Sequence, residues 1–383
     1  VINSLELVDI PAQDEALRPK IRDFLADKLA DLPDDDRAKS WQGFNAQFSR
    51  ALGQAGFIGL TLPKKYGGGE RGPFARFVVL EELLAVGAPV AAHWIADRQS
   101  AQLILNYGTQ AQRETHLAAI CRGERYFCIG MSEPESGSDL ASVRSRALKQ
   151  TDGSWLLEGT KVWTSNAQHC HYMIALVRTS GEYGDRHRGL SQVLVDLSLP
   201  GVTVNPIIDI AGAAHFCEVH FDGVELPADA IVGEEGDGWK QVTAELVLER
   251  SGPERIYSSI VLLDAWIARL EQHDLSEHAL ITVGQLTGEL AVLRAMSLAV
   301  TGCLAKGESP AVEATLIKDL GTSFEQRTPE LIIDLVGSVP EAAMDTEFLR
   351  TLSYIAQVAP SFSLRGGTRE ILRGIIARGL GLR

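Results

Sequence analysis

The sequence is short of positive charge. Its 36 lysines and arginines face 50 aspartates and glutamates, for a formal net charge of -14 over 383 residues. That balance argues against nucleic acid as a partner, because phosphate binding needs a basic footprint. Any polyanionic ligand must then be held by local cations. Cysteine is scarce too. Cys121, Cys128, Cys170, Cys217 and Cys303 are odd in number and scattered, with no CxxC, which supports neither a disulfide framework nor a zinc site. His169-Cys170-His171 reads as plain strand, since no third or fourth metal ligand accompanies it. No signal peptide, low-complexity linker, internal repeat or apolar run of membrane-spanning length stands out. The expectation is a protein of the reducing cytoplasm.

What is present is an ordinary globular composition, with 45% apolar and 22% charged residues, in a chain long enough for two or three domains. Residues 1–125 read as helices, with helical spacing in Ala16-Leu17…Ile21…Phe24-Leu25…Leu29 and again in Phe77–Leu84. Gly67, Gly69 and Gly72 match GxGxxG in form, but no strand leads into them, so they read as a turn. Residues 126–235 change period. Short β-favouring runs begin at Ser154, Val162, Tyr172, Leu190, Val202 and Cys217, separated by Asp152-Gly153, Pro200-Gly201 and Asp222-Gly223. They predict an antiparallel barrel or sandwich. Residues 236–383 return to helical spacing, with long segments near 240–272, 276–305, 309–337 and 368–381. The fold class is multi-domain α+β: a helical domain, a central β domain and a C-terminal four-helix bundle.

One carboxylate is out of place. Trp239, Val242, Leu246, Ile256, Ile260 and Leu263 form one apolar stripe, and Glu249 falls on it. An ionised carboxylate facing an apolar interior is disfavoured unless compensated. Pro253 removes the hydrogen bond to the Glu249 carbonyl, which predicts a kink beside that carboxylate. The stretch alone leaves two readings open: a functional base, or a structural ion pair with Arg250 or Arg255. Glu254 is the nearest rival, five residues on and off the stripe.

The segment Cys128–Ser142 is rich in small residues and hydroxyls that let backbone approach a ligand. It contains SEPESGSD at 132–139. Gly159-Thr-Lys161-Val-Trp163 follows, then His215-Phe-Cys-Glu-Val-His-Phe-Asp-Gly-Val-Glu-Leu-Pro227, Val232-Gly233…Gly236-Asp-Gly238-Trp239 and Gly366-Gly367-Thr368. In these ordered motifs the chain resembles the acyl-CoA dehydrogenase family over essentially its whole length. It is most similar to members with the base on the earlier helix, the isovaleryl-like and bacterial sterol-side-chain types. The resemblance implies FAD as cofactor, an acyl-CoA substrate, an electron-transfer flavoprotein as acceptor and a role in fatty-acid β-oxidation. It implies flavin contacts from Ile129, Met131, Ser132, Gly137, Ser138, Trp163, Ser165, Gly366 and Thr368. It implies substrate contacts from Ser138, Arg250 and Gly367.

Most of the family carries its base as the Glu of a YEGT tetrapeptide. Here the match is Arg365-Gly366-Gly367-Thr368, so that Glu is missing, and Leu248-Glu249-Arg250 matches the alternative site. The resemblance thus assigns Glu249 as catalytic base. Two further departures concern the grip on the adenosine half of FAD. Ala279–Gly288 and Asp334–Ser338 lack the family's Arg, Phe and Gln. This implies either a heterotetramer with a related subunit or a homo-oligomer in which Arg294 or Lys318 has taken over. A non-catalytic partner subunit and a flavin oxidase of the same fold are the competing functions.

Overall fold

The computed structural model describes residues 5–271, 277–337 and 344–382, and the side chains of all of these except residues 183 and 245–249. The chain divides into two compact units. A helical unit comprises Val1–Gly43, Arg71–Pro89 and Val247–Arg383, and a sheet unit comprises Phe44–Glu70 and Val90–Leu246.

The sheet unit is built on seven strands: β1 (Phe127–Gly130), β2 (Arg146–Lys149), β3 (Trp155–Ser165), β4 (Tyr172–Arg178), β5 (Leu190–Asp196), β6 (Val202–Ile207) and β7 (Phe216–Leu226). Their order is β1-β4-β2-β3-β7-β6, with β5 also on β4. The sheet is mixed, because β1 runs parallel to β4. β4 has apolar neighbours on both faces, which is why its sequence is a continuous apolar run. Met173, Ala175 and Val177 join the core shared with β3 and β7, while Ile174 joins Ile104, Leu117 and Ile120 of the flanking helices.

The runs at Ser154 and Val162 are not separate strands but one 11-residue strand, β3. The strand survives Gly159 because that residue takes φ +137, a conformation only glycine adopts freely. His169-Cys170-His171 is not strand either. His169 ends a single 3-10 turn before β4, its ring 4.6 Å from Phe44, and His171 Nδ1 accepts the Tyr126 N–H. The Gly67–Gly72 stretch is a turn, with Gly67 left-handed at the end of a 3-10 helix.

In the helical unit, Leu17–Lys28 and Pro73–Ala85 precede two long helices, Glu277–Ala305 and Ala311–Val336. Thr346–Val358 adds a helix that the sequence reading did not anticipate; its Phe348, Leu352 and Ile355 pack with Trp266 and Leu335. The stripe around Glu249 is not one kinked helix. The first helix, Gly238–Arg250, stops, a 3-10 turn spans Pro253–Arg255, and the next helix, Ile260–Leu270, begins anew. Proline disfavours the helical conformation in the residue before it, and Gly252 is accordingly extended at ψ 168. The Glu277–Ala305 helix is long and apolar enough by length and composition to cross a membrane, a run that the sequence reading did not pick out. It is a packing helix of this unit: Leu286, Leu293 and Leu298 are buried, and Ser297 Oγ donates to the Ser251 carbonyl at 2.5 Å.

Candidate active site

The sheet unit assembles the first group of expected site residues. Ile129 lies on β1 opposite Ile174. Beyond the strand, the Met131 carbonyl accepts from Lys161 Nζ at 3.2 Å, and the Ser132 carbonyl accepts from the Val162 N–H at 2.9 Å. Glu133 and Ser136 close a turn by exchanging backbone hydrogen bonds of 2.8 and 3.0 Å. Ser142 Oγ ties that turn to Ser136 Oγ and the Asp139 carbonyl. Gly137 and Ser138, which follow the turn, are exposed, and a Cβ on Gly137 would meet no atom within 4 Å. That stretch is thus open to a ligand.

Trp163 and Ser165 stand beside this segment on β3. Lys161 pairs with Val219 and Thr164 with Cys217, so Val162 and Trp163 together oppose the single residue Glu218. This is a β-bulge, which re-aims side chains. Trp163 sits at φ +60, in the left-handed region, and its indole is 59% exposed. A large aromatic in that backbone conformation is strained, and such strain clusters at ligand sites. Phe216 supports the ring edge-on at 6.0 Å. A flat apolar surface held open beside hydroxyls and backbone is what a planar heteroaromatic ring would fit.

Behind this surface lies a charge pair that the sequence reading did not single out. Lys161 is fully buried, and its ammonium donates to Glu133 Oε1 at 2.7 Å and to the carbonyls of Leu176 at 2.6 Å and Met131. Glu133 also accepts the N–H groups of Arg144 at 2.6 Å and Ser145 at 2.9 Å. Burial works to raise the Glu133 carboxyl, but the adjacent ammonium and the N–H donors outweigh it and hold the group below its ordinary value. Burial also lowers Lys161, with Glu133 opposing.

The helical unit holds the second group. Glu249 closes the Gly238–Arg250 helix, and its side chain lies outside the described residues. Arg250 is buried; its Nε donates to the Gly366 carbonyl at 3.0 Å and its guanidinium reaches Thr315 Oγ1 at 3.4 Å. The end of that helix is thereby tied to the Gly366-Gly367 loop. Both glycines are left-handed, at φ +63 and +106, and Thr368 then caps the Arg369–Gly379 helix. Arg365 turns inward. It pairs with buried Glu325 at 2.7 Å, donates to Ser258 Oγ and stacks over Trp41 and Phe362. Glu254 is 2% exposed, its carboxyl folded back over Gly252. Arg294 binds Glu81 through two nitrogens at 2.6 and 3.0 Å, and buried Lys318 donates to Thr322 and the Phe362 carbonyl.

Comparison with known proteins gives a concordant result. The acyl-CoA dehydrogenase N-terminal domain profile matches residues 11–124, and the middle domain profile matches residues 128–224. The acyl-CoA dehydrogenase IpdE1 of Mycobacterium tuberculosis is 33% identical, with 96% of this chain and 97% of that protein covered. Among solved structures, the ChsE4-ChsE5 complex of Mycobacterium tuberculosis superposes with a TM-score of 0.84 at 26% identity over 99% of this chain and 100% of that one. The Tcur3481-Tcur3483 steroid ACAD gives 0.85 at 24% identity, over 98% and 100%.

Proposed function

The chain belongs to the acyl-CoA dehydrogenase family, a family of FAD enzymes, and on that premise we propose that it oxidises an acyl-CoA thioester to the trans-2-enoyl-CoA with Glu249 as base. The observation that carries the assignment is the 3.0 Å bond from Arg250 to the Gly366 carbonyl. It brings the helix end bearing Glu249 to the loop where most of the family places its base. A base on the helix and a glycine on the loop then serve the same substrate carbon.

The α-proton of a thioester is too weakly acidic for a solvated carboxylate, and a carboxylate held away from water is the stronger base. Glu249 takes that proton. Backbone N–H groups of the Gly366-Gly367 loop, tied to Arg250, would donate to the negative charge that develops on the thioester oxygen. A bound flavin would supply the acceptor for the β-hydride, with an electron-transfer flavoprotein as the onward acceptor. Trp163 would pack on its ring system, Ser165 would bond near its reactive edge, and Ile129, Met131 and Ser132 would line its pyrimidine side. Gly137 and Ser138 would leave room for phosphates or the CoA arm, and Thr368 would complete the cofactor contacts. Glu249→Gln should keep fold and flavin but lose anaerobic bleaching by acyl-CoA. Normal bleaching by this variant removes Glu249 from the role. Gly366→Glu in the same background should restore turnover, at a backbone strain of about 1–2 kcal/mol, since residue 366 sits at φ +63.

A heteromeric assembly is the second part of the reading. The cations expected to replace the missing adenosine clamp, Arg294 and Lys318, already serve Glu81, Thr322 and the Phe362 carbonyl. A related subunit with an intact clamp would supply those donors; ChsE4-ChsE5, to which this chain is similar in structure, is a complex of two chains. Flavin should then number half the subunits. A stable homotetramer carrying one FAD per chain rejects this assembly.

A further inference from the structure

We propose that Lys161 is a positioning residue that sets the spacing between two walls of the flavin site, the Met131–Ser132 segment and the Trp163 bulge. The inference rests on the flavoenzyme reading above. Lys161 belongs to β3 through its backbone and to the Met131–Glu133 segment through its ammonium. On one side, the ammonium holds the Met131 carbonyl at 3.2 Å and Glu133 at 2.7 Å. On the other, its own residue pairs with Val219 and is the last in register before the bulge that turns Trp163 outward. The next residue, Val162, donates to the Ser132 carbonyl. Two consecutive residues of β3 thus grip two consecutive carbonyls of the facing segment. The grip fixes how far Trp163 stands from Met131 and Ser132.

The surroundings are shaped around this side chain. Gly130 faces its stem, and a Cβ there would lie 3.2 Å from Lys161 Cγ and closer still to Met173 Sδ. The third bond, to the Leu176 carbonyl on β4, anchors the ammonium to a strand with no expected site residue. Glu133 in turn fixes the Arg144–Ser145 backbone. A lysine needed only for surface charge would not be taken wholly out of water into three hydrogen bonds, since removing an ammonium from water is costly.

The test uses the full chain, with any chain that co-purifies, titrated with FAD. Three proteins are compared: wild type, Lys161→Met, and the double variant Lys161→Met/Glu133→Gln, which removes the buried unpaired carboxylate and keeps an acceptor oxygen for one of the two N–H groups, Arg144 or Ser145, that Glu133 serves. Apo melting temperature, FAD affinity, the flavin absorption spectrum and the split between kcat and KM are read for each. The single variant should lose stability. The double variant should recover part of it, yet bind FAD at least about 10-fold more weakly, with a shifted flavin spectrum and a reduced kcat. Recovery of FAD affinity, spectrum and kcat together with melting temperature overturns the proposal and leaves Lys161 a stabilising residue only. A wild type that neither binds FAD nor bleaches with acyl-CoA overturns the flavoenzyme reading, and this inference with it. A wild type that does both, beside a double variant indistinguishable from it, overturns this inference alone.

Discussion

Two buried charge groups, one in each unit, are built in opposite ways. In the sheet unit, Lys161 and Glu133 form one exclusive ion pair, with the remaining bonds going to backbone. In the helical unit's Glu81–Glu82 cluster, unlike its Arg365–Glu325 pair, charge is shared. Glu81 accepts from Arg18, from both donors of Arg294 and from the Tyr257 hydroxyl, while Glu82 accepts from Arg18 and Arg22. Burial alone would raise the Glu81 carboxyl, but Arg294 and Arg18 prevail and keep it below its ordinary value. Sharing means that losing one partner leaves others in place. An exclusive pair has no such reserve, and in the sheet unit it stands directly behind expected site residues.

The largest effect should follow from breaking the exclusive pair. Lys161→Met leaves Glu133 buried without its counter-charge, and unfolding free energy should fall by ~3–5 kcal/mol in denaturant titration. A loss under ~1 kcal/mol removes the contrast between the units.

Acid should sharpen the contrast. His93, buried with Nδ1 2.8 Å from Ser49 Oγ, is pushed by burial down to about 3, and burial, aided by Arg125, takes His116 down to about 4. Both lie in the sheet unit. Their folded values lie below the unfolded value, so the unfolded chain binds the proton first. Stability is therefore complete above about pH 6.5 and falls by ~1.4 kcal/mol per pH unit for each histidine as pH drops toward the folded values. Glu81 of the helical unit, held below its ordinary value, begins to lose its contribution only below pH ~4.3. Hydrogen exchange at pH 5 should therefore quicken in β4 before it does in the Glu277–Ala305 helix. His93→Gln should flatten the slope, and equal acid sensitivity in both units would contradict it.

The shared cluster should absorb single losses. Arg294→Met removes two bonds from Glu81, but Arg18 and Tyr257 remain and Arg294 is itself partly screened by solvent, so thermal unfolding should register ~1–2 kcal/mol. The smallest effect belongs to Arg22→Ala. Its side chain is 63% exposed, and the change should stay under ~1 kcal/mol and shrink further with added salt. A loss as large as that of Lys161→Met would show that the helical cluster is no more redundant than the pair.

Much of this was legible from residues alone, and the reasons are specific. β4 and β5 match the expected runs at Tyr172 and Leu190 to the residue, because turn residues bound them and both are densely apolar. β2 was missed, as its four residues Arg146–Lys149 carry too little pattern to register. The helix Thr346–Val358 carries an i, i+4, i+7 stripe at Phe348, Leu352 and Ile355, a signal present in the sequence and not extracted from it. The surface around Met131, Ser132, Trp163 and Ser165 followed from motifs. Lys161 did not, since a lysine in a strand ordinarily faces water and its partner Glu133 is 28 positions away, brought near only by sheet pairing. The break after Arg250 shows the opposite limit, where one apolar stripe runs through two helices and the proline between them ends the first.

The glycine beneath the Lys161 stem carries an evolutionary consequence. Positions 130, 161 and 173 occupy one volume, since a methyl group on Gly130 would press on both Lys161 and Met173. These three positions should therefore change as a set, drift at any one being tolerated after a compensating change at another. In a library in which Gly130→Ala is imposed and function is restored by selection, suppressors should concentrate at position 173, where a shorter side chain vacates the needed space and the lysine stays. Suppressors scattered over the protein would mean that the three positions evolve independently.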